Sequence, residues 1–228
     1  MKIAGLQKLT MLDYPSKLAC IIFTQGCNLR CSYCQNSSLI KIKGDVEIPE
    51  EEIFEFLESR KKYLDGVVIT GGEPTIHKDL PEFIKKIKDL GYSVKLDTNG
   101  TNPVMLKELI KKKLVDYVAM DVKNVLNEYE NVVKVKINIG SIKKSISLLK
   151  QGKVKHEFRM TIIKNIHDIF KIVEVQELIG KDEVLFLQNF EDSEDVLDKT
   201  LESFSKAELI NIQKELKERF PNTIVRGL

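Results

Sequence analysis

Leu18-Ala19-Cys20-Ile21-Ile22-Phe23-Thr24-Gln25-Gly26-Cys27-Asn28-Leu29-Arg30-Cys31-Ser32-Tyr33-Cys34 joins an unbroken apolar run to three closely spaced cysteines. The run reads as a strand covered on both faces, because its apolar residues do not alternate with polar ones. The cysteines follow the spacing C-x3-C-x2-C. Three thiolates in one short loop make a metal site, and without a fourth ligand in the same stretch one coordination position stays open. A structural zinc site is closed by four ligands, and catalytic zinc sites are usually rich in histidine. The three histidines here, His77, His156 and His167, are all distant in sequence. Soft thiolates suit an iron–sulfur cluster better, and a cubane held by three of them keeps one iron free for an outside ligand. Zinc stands as the second reading. Cys20, inside the apolar run, reads as a buried small hydrophobe. A disulfide framework fits poorly, since the four cysteines are not spread along the chain and Met1-Lys2-Ile3-Ala4-Gly5 does not read as a secretory leader.

Outward from that loop, short apolar runs alternate with longer amphipathic segments. Strands are expected over residues 17–24, 66–70, 93–97, 117–121, 157–163 and 183–188, several of them as continuous as Val67-Val68-Ile69. Helices are expected from Pro49-Glu50-Glu51-Glu52 onward, with Ile53, Phe56 and Leu57 as the apolar face, and over 80–90, 104–113, 142–151, 166–179 and 206–220. Gly91 stops the second. The order β-α repeated six times predicts an α/β fold, a parallel sheet with outer helices in an incomplete (βα)6 TIM-like barrel, because a full barrel takes about 250 residues. An open doubly wound sheet is the alternative. Residues 1–13 are expected to add a strand or hairpin at the edge, and residues 124–138 read as irregular, with no role assigned. The whole of 1–228 reads as a single domain.

The unusual residues gather at the C-terminal ends of the strands, the rim where parallel β/α folds bind ligands. The cysteines follow the first strand, Thr70-Gly71-Gly72-Glu73-Pro74 the second, Asp97-Thr98-Asn99-Gly100 the third and Asp121-Val122-Lys123 the fourth. Two glycines let the backbone approach a ligand, though a plain βα turn would use them as well. Asp121 and Lys123 point to one side of their strand, where a simple ion pair is the plainer reading. Arg159, within the fifth strand, invites either an ion pair or an anion. His77 and His167 read as surface or capping residues.

CNLRCSYC followed one unit later by GGEP resembles the radical S-adenosylmethionine (SAM) superfamily. DTNG, D-x-K, the opening Gly5-Leu6-Gln7-Lys8-Leu9-Thr10 with Leu12-Asp13-Tyr14-Pro15, and Phe23-Thr24-Gln25-Gly26-Cys27-Asn28 resemble its glycyl-radical-enzyme activases, most of all those of anaerobic ribonucleoside-triphosphate reductase, relatives of the pyruvate formate-lyase activating enzymes. The resemblance implies that Cys27, Cys31 and Cys34 hold a [4Fe–4S] cluster. It implies that Tyr33, Gly71, Gly72, Glu73, Asp97, Asp121, Lys123 and Arg159 contact SAM, and that Asp97, Thr98 and Asp121 hold a sodium or potassium ion. The implied activity is one-electron cleavage of SAM to a 5′-deoxyadenosyl radical that takes hydrogen from a glycine of the partner enzyme, with flavodoxin or ferredoxin as electron donor. No residue is then needed as a general acid or base. Another glycyl-radical enzyme, a small molecule or a peptide are alternative substrates, and a non-enzymatic electron-transfer or zinc module is the competing class. Gln35 replaces the histidine that relatives usually carry after the third cysteine, and Phe190 stands where some relatives carry a histidine.

Composition narrows the classes. The 228 residues suffice for one substantial core, and hydrophobic residues make up 43% of them. A net charge of +2 from 36 basic and 34 acidic residues argues against nucleic acid as the main partner. No apolar stretch reaches the roughly 20 residues of a membrane span, so the cytoplasm is the expected compartment.

Overall fold

The computed structural model describes residues 1–42 and 47–228. Its eight strands are ordered as they occur along the chain. β1 (Ile3–Thr10) runs antiparallel to β2 (Ala19–Thr24), and β2, β3 (Gly66–Gly71) and β4 (Ser93–Thr98) are parallel. β5 (Tyr117–Asp121) follows, and then β6 (Lys155–Ile162), β7 (Leu185–Asn189) and β8 (Thr223–Arg226), again parallel. The intervening helices are α1 (Glu50–Arg60), α2 (Leu80–Asp89), α3 (Pro103–Lys111), α4 (Tyr129–Val133), α5 (Ile139–Leu149), α6 (Ile169–Ile179) and α7 (Lys206–Arg219). The six expected strand–helix units are β2 to β7 with their helices. The α/β class, with a mostly parallel sheet and surrounding helices, is as the sequence predicts.

The chain gathers into two compact units. The first comprises Met1–Asn28, Ser38–Ala119 and Ser141–His156. Its strands bury both faces: Ile22, Val67, Ile69, Val94 and Leu96 are wholly inside, and Ala19, Ile21 and Val68 cluster with Tyr14. In the ladder Ile21 stands opposite Val68, and Val68 opposite Lys95. Helix α2 packs through Leu80, Phe83, Ile84 and Ile87, each contributing roughly 1.5–3 kcal/mol by burial. Phe83 also meets Phe54 of α1 edge to face, with ring centroids 5.4 Å apart.

The second unit comprises Leu29–Ser37, Met120–Gly140 and Glu157–Leu228. Phe158, Met160 and Ile162 of β6 pack with Leu185 and Leu187 of β7, while Ile172, Val175 and Ile179 turn the apolar stripe of α6 inward. Helix α7 opens on a capping box between Ser205 and Glu208.

Two expectations are corrected here. Residues 124–138 are not irregular throughout: a 3-10 turn, Leu126–Glu128, leads into α4, which buries Tyr129, Val132 and Val133. The spacing i, i+3, i+4 gives this single turn an apolar stripe, but it is too short to register as periodicity. The sequence reading also lacks β8, whose four residues bury Thr223 and Val225 alternately.

Candidate active site

In the first unit the turn after β3 is built around the start of the cysteine loop. Gly72 donates its N–H to the Thr24 carbonyl at 2.9 Å, and Glu73 donates to the Gly26 carbonyl at 2.8 Å. A Cβ on Gly72 would stand 2.0 Å from the Gly26 oxygen, and one on Gly71, whose φ is +105°, 2.4 Å from the Thr24 nitrogen. The two glycines are therefore required by a close approach of backbone to backbone. The loop itself is pinned from Gly26 to Leu39 (2.7 Å), from Cys27 to Ile40 (3.1 Å), and from the Gln25 side chain to the Lys41 carbonyl (2.6 Å).

Glu73 is almost wholly buried, at 1% exposure. Its carboxylate accepts from the Thr75 N–H (3.0 Å), the Thr75 hydroxyl, the Thr98 hydroxyl (2.7 Å) and the Asn99 N–H (2.7 Å). Burial pushes this carboxyl above its usual value, against the pull of those donors. The side chain straps the turn after β3 to the turn after β4. Asn99 continues the strap, donating to Asn28 at 3.0 Å. Asp97, near the end of β4, pairs with the buried ammonium of Lys95.

In the second unit the remaining cysteines sit on the carbonyl end of α4. Arg30 and Ser32 donate their N–H groups to Val133 (2.9 Å) and Val132 (3.1 Å), and Cys34 donates to Cys31 at 3.1 Å. Burial pushes the Cys31 thiol up, and the nearby Lys123 partly offsets it. Lys123 lies 5.7 Å from the centre of the buried Tyr33 ring. Burial alone would raise the Asp121 carboxyl, but the Arg159 Nε at 2.8 Å and the Lys123 Nζ at 2.9 Å outweigh it and hold it well below the carboxylate range. Burial alone would likewise lower Lys123, but Asp121 keeps it charged far above its ordinary value. The Lys123 N–H donates to the Tyr129 hydroxyl at 3.1 Å, and the Val122 N–H to the Arg159 carbonyl at 2.8 Å.

The expected site residues thus fall into two groups. Cys27, Gly71, Gly72, Glu73, Asp97 and Thr98 belong to the first unit, and Cys31, Tyr33, Cys34, Asp121, Lys123 and Arg159 to the second. The plain alternative of an ion pair is realised for Asp121, which pairs with both Lys123 and Arg159. Of the two readings of His167, surface or cap, the cap is the one present: it is only 1% exposed, and its Nδ1 accepts the Ile163 N–H at 3.0 Å. It caps the turn after β6 from within, and burial lowers its pKa to about 4. Lys95 and Tyr129 were not picked out from the sequence. Lys95 carries a readable signal, being two residues before Asp97 on the same strand face; Tyr129 carries none.

None of the four cysteines is in a disulfide. Among the described residues no three or more His, Cys, Asp or Glu side chains converge to hold a single ion. Between Cys31 and Cys34, the Ser32 and Tyr33 hydroxyls are buried without a hydrogen-bond partner, each costing about 1–3 kcal/mol unless something bound meets it. Soft thiols beside unmatched buried hydroxyls fit an iron–sulfur group with an organic ligand next to it. Cys20, buried in β2 with its thiol pushed up to about 12, is inert.

Residues 21–175 match the family model of the radical SAM superfamily. Over 99% of its length the chain is 35% identical to a candidate glycyl-radical enzyme activating enzyme of Methanocaldococcus jannaschii, covering 96% of that protein. It is 32% identical to the pyruvate formate-lyase-activating enzyme of Clostridium pasteurianum over 54% of this chain and 53% of that one. In fold it resembles Streptococcus suis SuiB bound to S-adenosylmethionine (TM-score 0.72, 16% identity), with 89% of this chain covering 48% of SuiB. It also resembles QueE from Escherichia coli (TM-score 0.57, 17% identity, 99% and 93% covered).

Proposed function

Because the chain belongs to the radical SAM superfamily, whose members use a [4Fe–4S] cluster and SAM, we propose that it activates a glycyl-radical enzyme, and that this enzyme is an anaerobic ribonucleotide reductase. The observation that carries the activase reading is the match along nearly the whole chain to a relative described as a glycyl-radical enzyme activating enzyme. The finer target rests on the resemblance of residues 5–15 and 23–28 to activases of that reductase.

When bound, the cluster and SAM supply one-electron cleavage of the sulfonium, and the resulting 5′-deoxyadenosyl radical takes hydrogen from a partner glycine. The thiolates of Cys27, Cys31 and Cys34 are the ligands in this reading. Lys123 favours the thiolate of Cys31, which burial alone would disfavour. Asp121 and Arg159 hold Lys123 charged and in place, and Lys123 and the Tyr33 ring contact SAM. Gly71 and Gly72 present the backbone to it. Glu73, its oxygens engaged by Thr75, Thr98 and Asn99, positions the turns rather than reacting. Flavodoxin or ferredoxin supplies the electron. A single working domain over 1–228 and a place in the cytoplasm belong to this reading; among the described residues no helix is long and apolar enough to cross a membrane.

Anaerobic reconstitution with iron and sulfide, followed by dithionite and SAM, tests the chemistry by the appearance of 5′-deoxyadenosine. Mixing with a candidate reductase tests the partner: a glycyl-radical EPR signal is expected. No 5′-deoxyadenosine from a fully reconstituted sample would end the activase reading, and 5′-deoxyadenosine without the EPR signal would end the choice of reductase.

A further inference from the structure

Asp97, Thr98 and Asp121 are the oxygen donors that the family resemblance offers to a sodium or potassium ion. Their side chains fit that ion poorly. Both Asp121 oxygens accept from cations of the protein, Arg159 and Lys123. The Thr98 hydroxyl donates to Glu73 at 2.7 Å and accepts the Gly100 N–H at 3.1 Å. Asp97 already faces an ammonium.

That ammonium is unusual in its placement. Lys95 lies on β4 opposite Val68, in the row that continues to Ile21, where an apolar side chain would be expected. Its side chain is 2% exposed. A buried lysine persists only with a counter-charge, and strand alternation puts the Asp97 carboxylate two residues further along the same face. The stem of the lysine crosses the apolar row, and its charge arrives at the rim. A potassium ion and an alkylammonium carry the same single charge and are of similar size, and a second cation there would meet repulsion from the first.

We propose that Lys95 takes the place of the monovalent cation: its ammonium is the fixed positive charge beside Asp97, so that this site needs neither sodium nor potassium. Lys95 is a positioning residue, acting through Asp97. The inference rests on the reading that Asp97 belongs to the cofactor site.

The test uses the reconstituted full chain in tetramethylammonium buffer, with two readouts: sodium NMR line broadening competed by potassium, and formation of 5′-deoxyadenosine. Wild type is expected to show no competed sodium site and no activation by potassium. Lys95→Ala should lose about 30-fold or more in rate, as when the partner of a buried charge is stranded. It should also gain a sodium site that potassium competes for, and recover most of the rate when potassium is added. Lys95→Met, which fills the space without the charge, should be slow and unresponsive to potassium. A merely structural lysine would give no cation-specific rescue. A competed sodium site or saturable potassium activation in wild type would overturn the proposal, and so would a folded Lys95→Ala that binds no sodium. If Lys95→Ala does not fold, the wild-type measurements decide. Absence of 5′-deoxyadenosine from every sample would count against the activase reading, while the sodium measurement would still be read on its own.

Discussion

The rim of the first unit and the rim of the second each hold a carboxylate, and they hold it in opposite ways. Glu73 is surrounded by neutral donors, two hydroxyls and two backbone N–H groups, and burial leaves its pKa raised. Asp121 is clamped between Arg159 and Lys123, and its pKa is depressed. The first arrangement ties the turn after β3 to the turn after β4. The second leaves charged groups beside Tyr33 and the Cys31 thiol. The difference teaches that a buried motif acid can be a strap held by neutral donors, while a buried acid between two cations is held in its charged form.

The sharpest way to break this contrast is Glu73→Ala. It strands four donors in a buried place, and a loss of about 4 kcal/mol is expected from the unmet hydrogen bonds. Urea unfolding would measure it. A variant as stable as wild type but slow with SAM would show that Glu73 serves the ligand and not the fold.

A second effect separates the groups by pH. Burial holds His167 neutral, with a folded pKa of about 4 against 6.5 when unfolded. The stability it lends is present above pH 6.5 and is lost as pH falls towards 4, because the unfolded chain binds the proton first. The loss approaches about 3 kcal/mol. Asp121 acts in the same direction, but below the ordinary carboxylate range. Glu73 acts in the opposite one, its raised pKa favouring the fold as acid protonates it. His167→Gln should flatten the stability curve between pH 6.5 and 4; an unchanged curve would place the dependence elsewhere.

Much of this was legible because alternation and rim position are local signals. The Cys27–Cys34 spacing, the glycine pair and Asp121 with Lys123 all sit where short-range rules apply. What the glycines approach was not legible, since Gly26 meets Gly72 only through the parallel pairing of β2 with β3. Helix α4 was hidden by its five residues, although its carbonyls receive the cysteine loop. The burial of His167 depends on the turn after β6, which no periodicity reports. Lys95 was visible but looked like one lysine among many in a basic and acidic chain.

The third effect tests the charged rim itself. Lys123→Met keeps most of the side-chain volume and leaves Asp121 paired with Arg159, so the fold should change little. The rate of 5′-deoxyadenosine formation should fall by about 100-fold, or roughly 2.7 kcal/mol, the scale of losing one preorganised charge. A large loss of stability at an unchanged rate would make this rim a second strap and erase the contrast.

The smallest effect concerns two thiols that burial raises alike. Cys31 has Lys123 beside it, which partly offsets burial, whereas burial carries the Cys20 thiol to about 12. Cys20 lies wholly inside β2, so Cys20→Ala removes one buried sulfur and should cost about 1 kcal/mol in stability. Iron content after reconstitution should stay at the wild-type level, because a thiol that resists ionisation is a poor ligand. Burial acts on both cysteines alike, and only Cys31 has a cation beside it; in the proposed reading that cation marks the ligand. Should Cys20→Ala lose iron as Cys31→Ala is expected to, proximity of a cation would not be what selects the ligands.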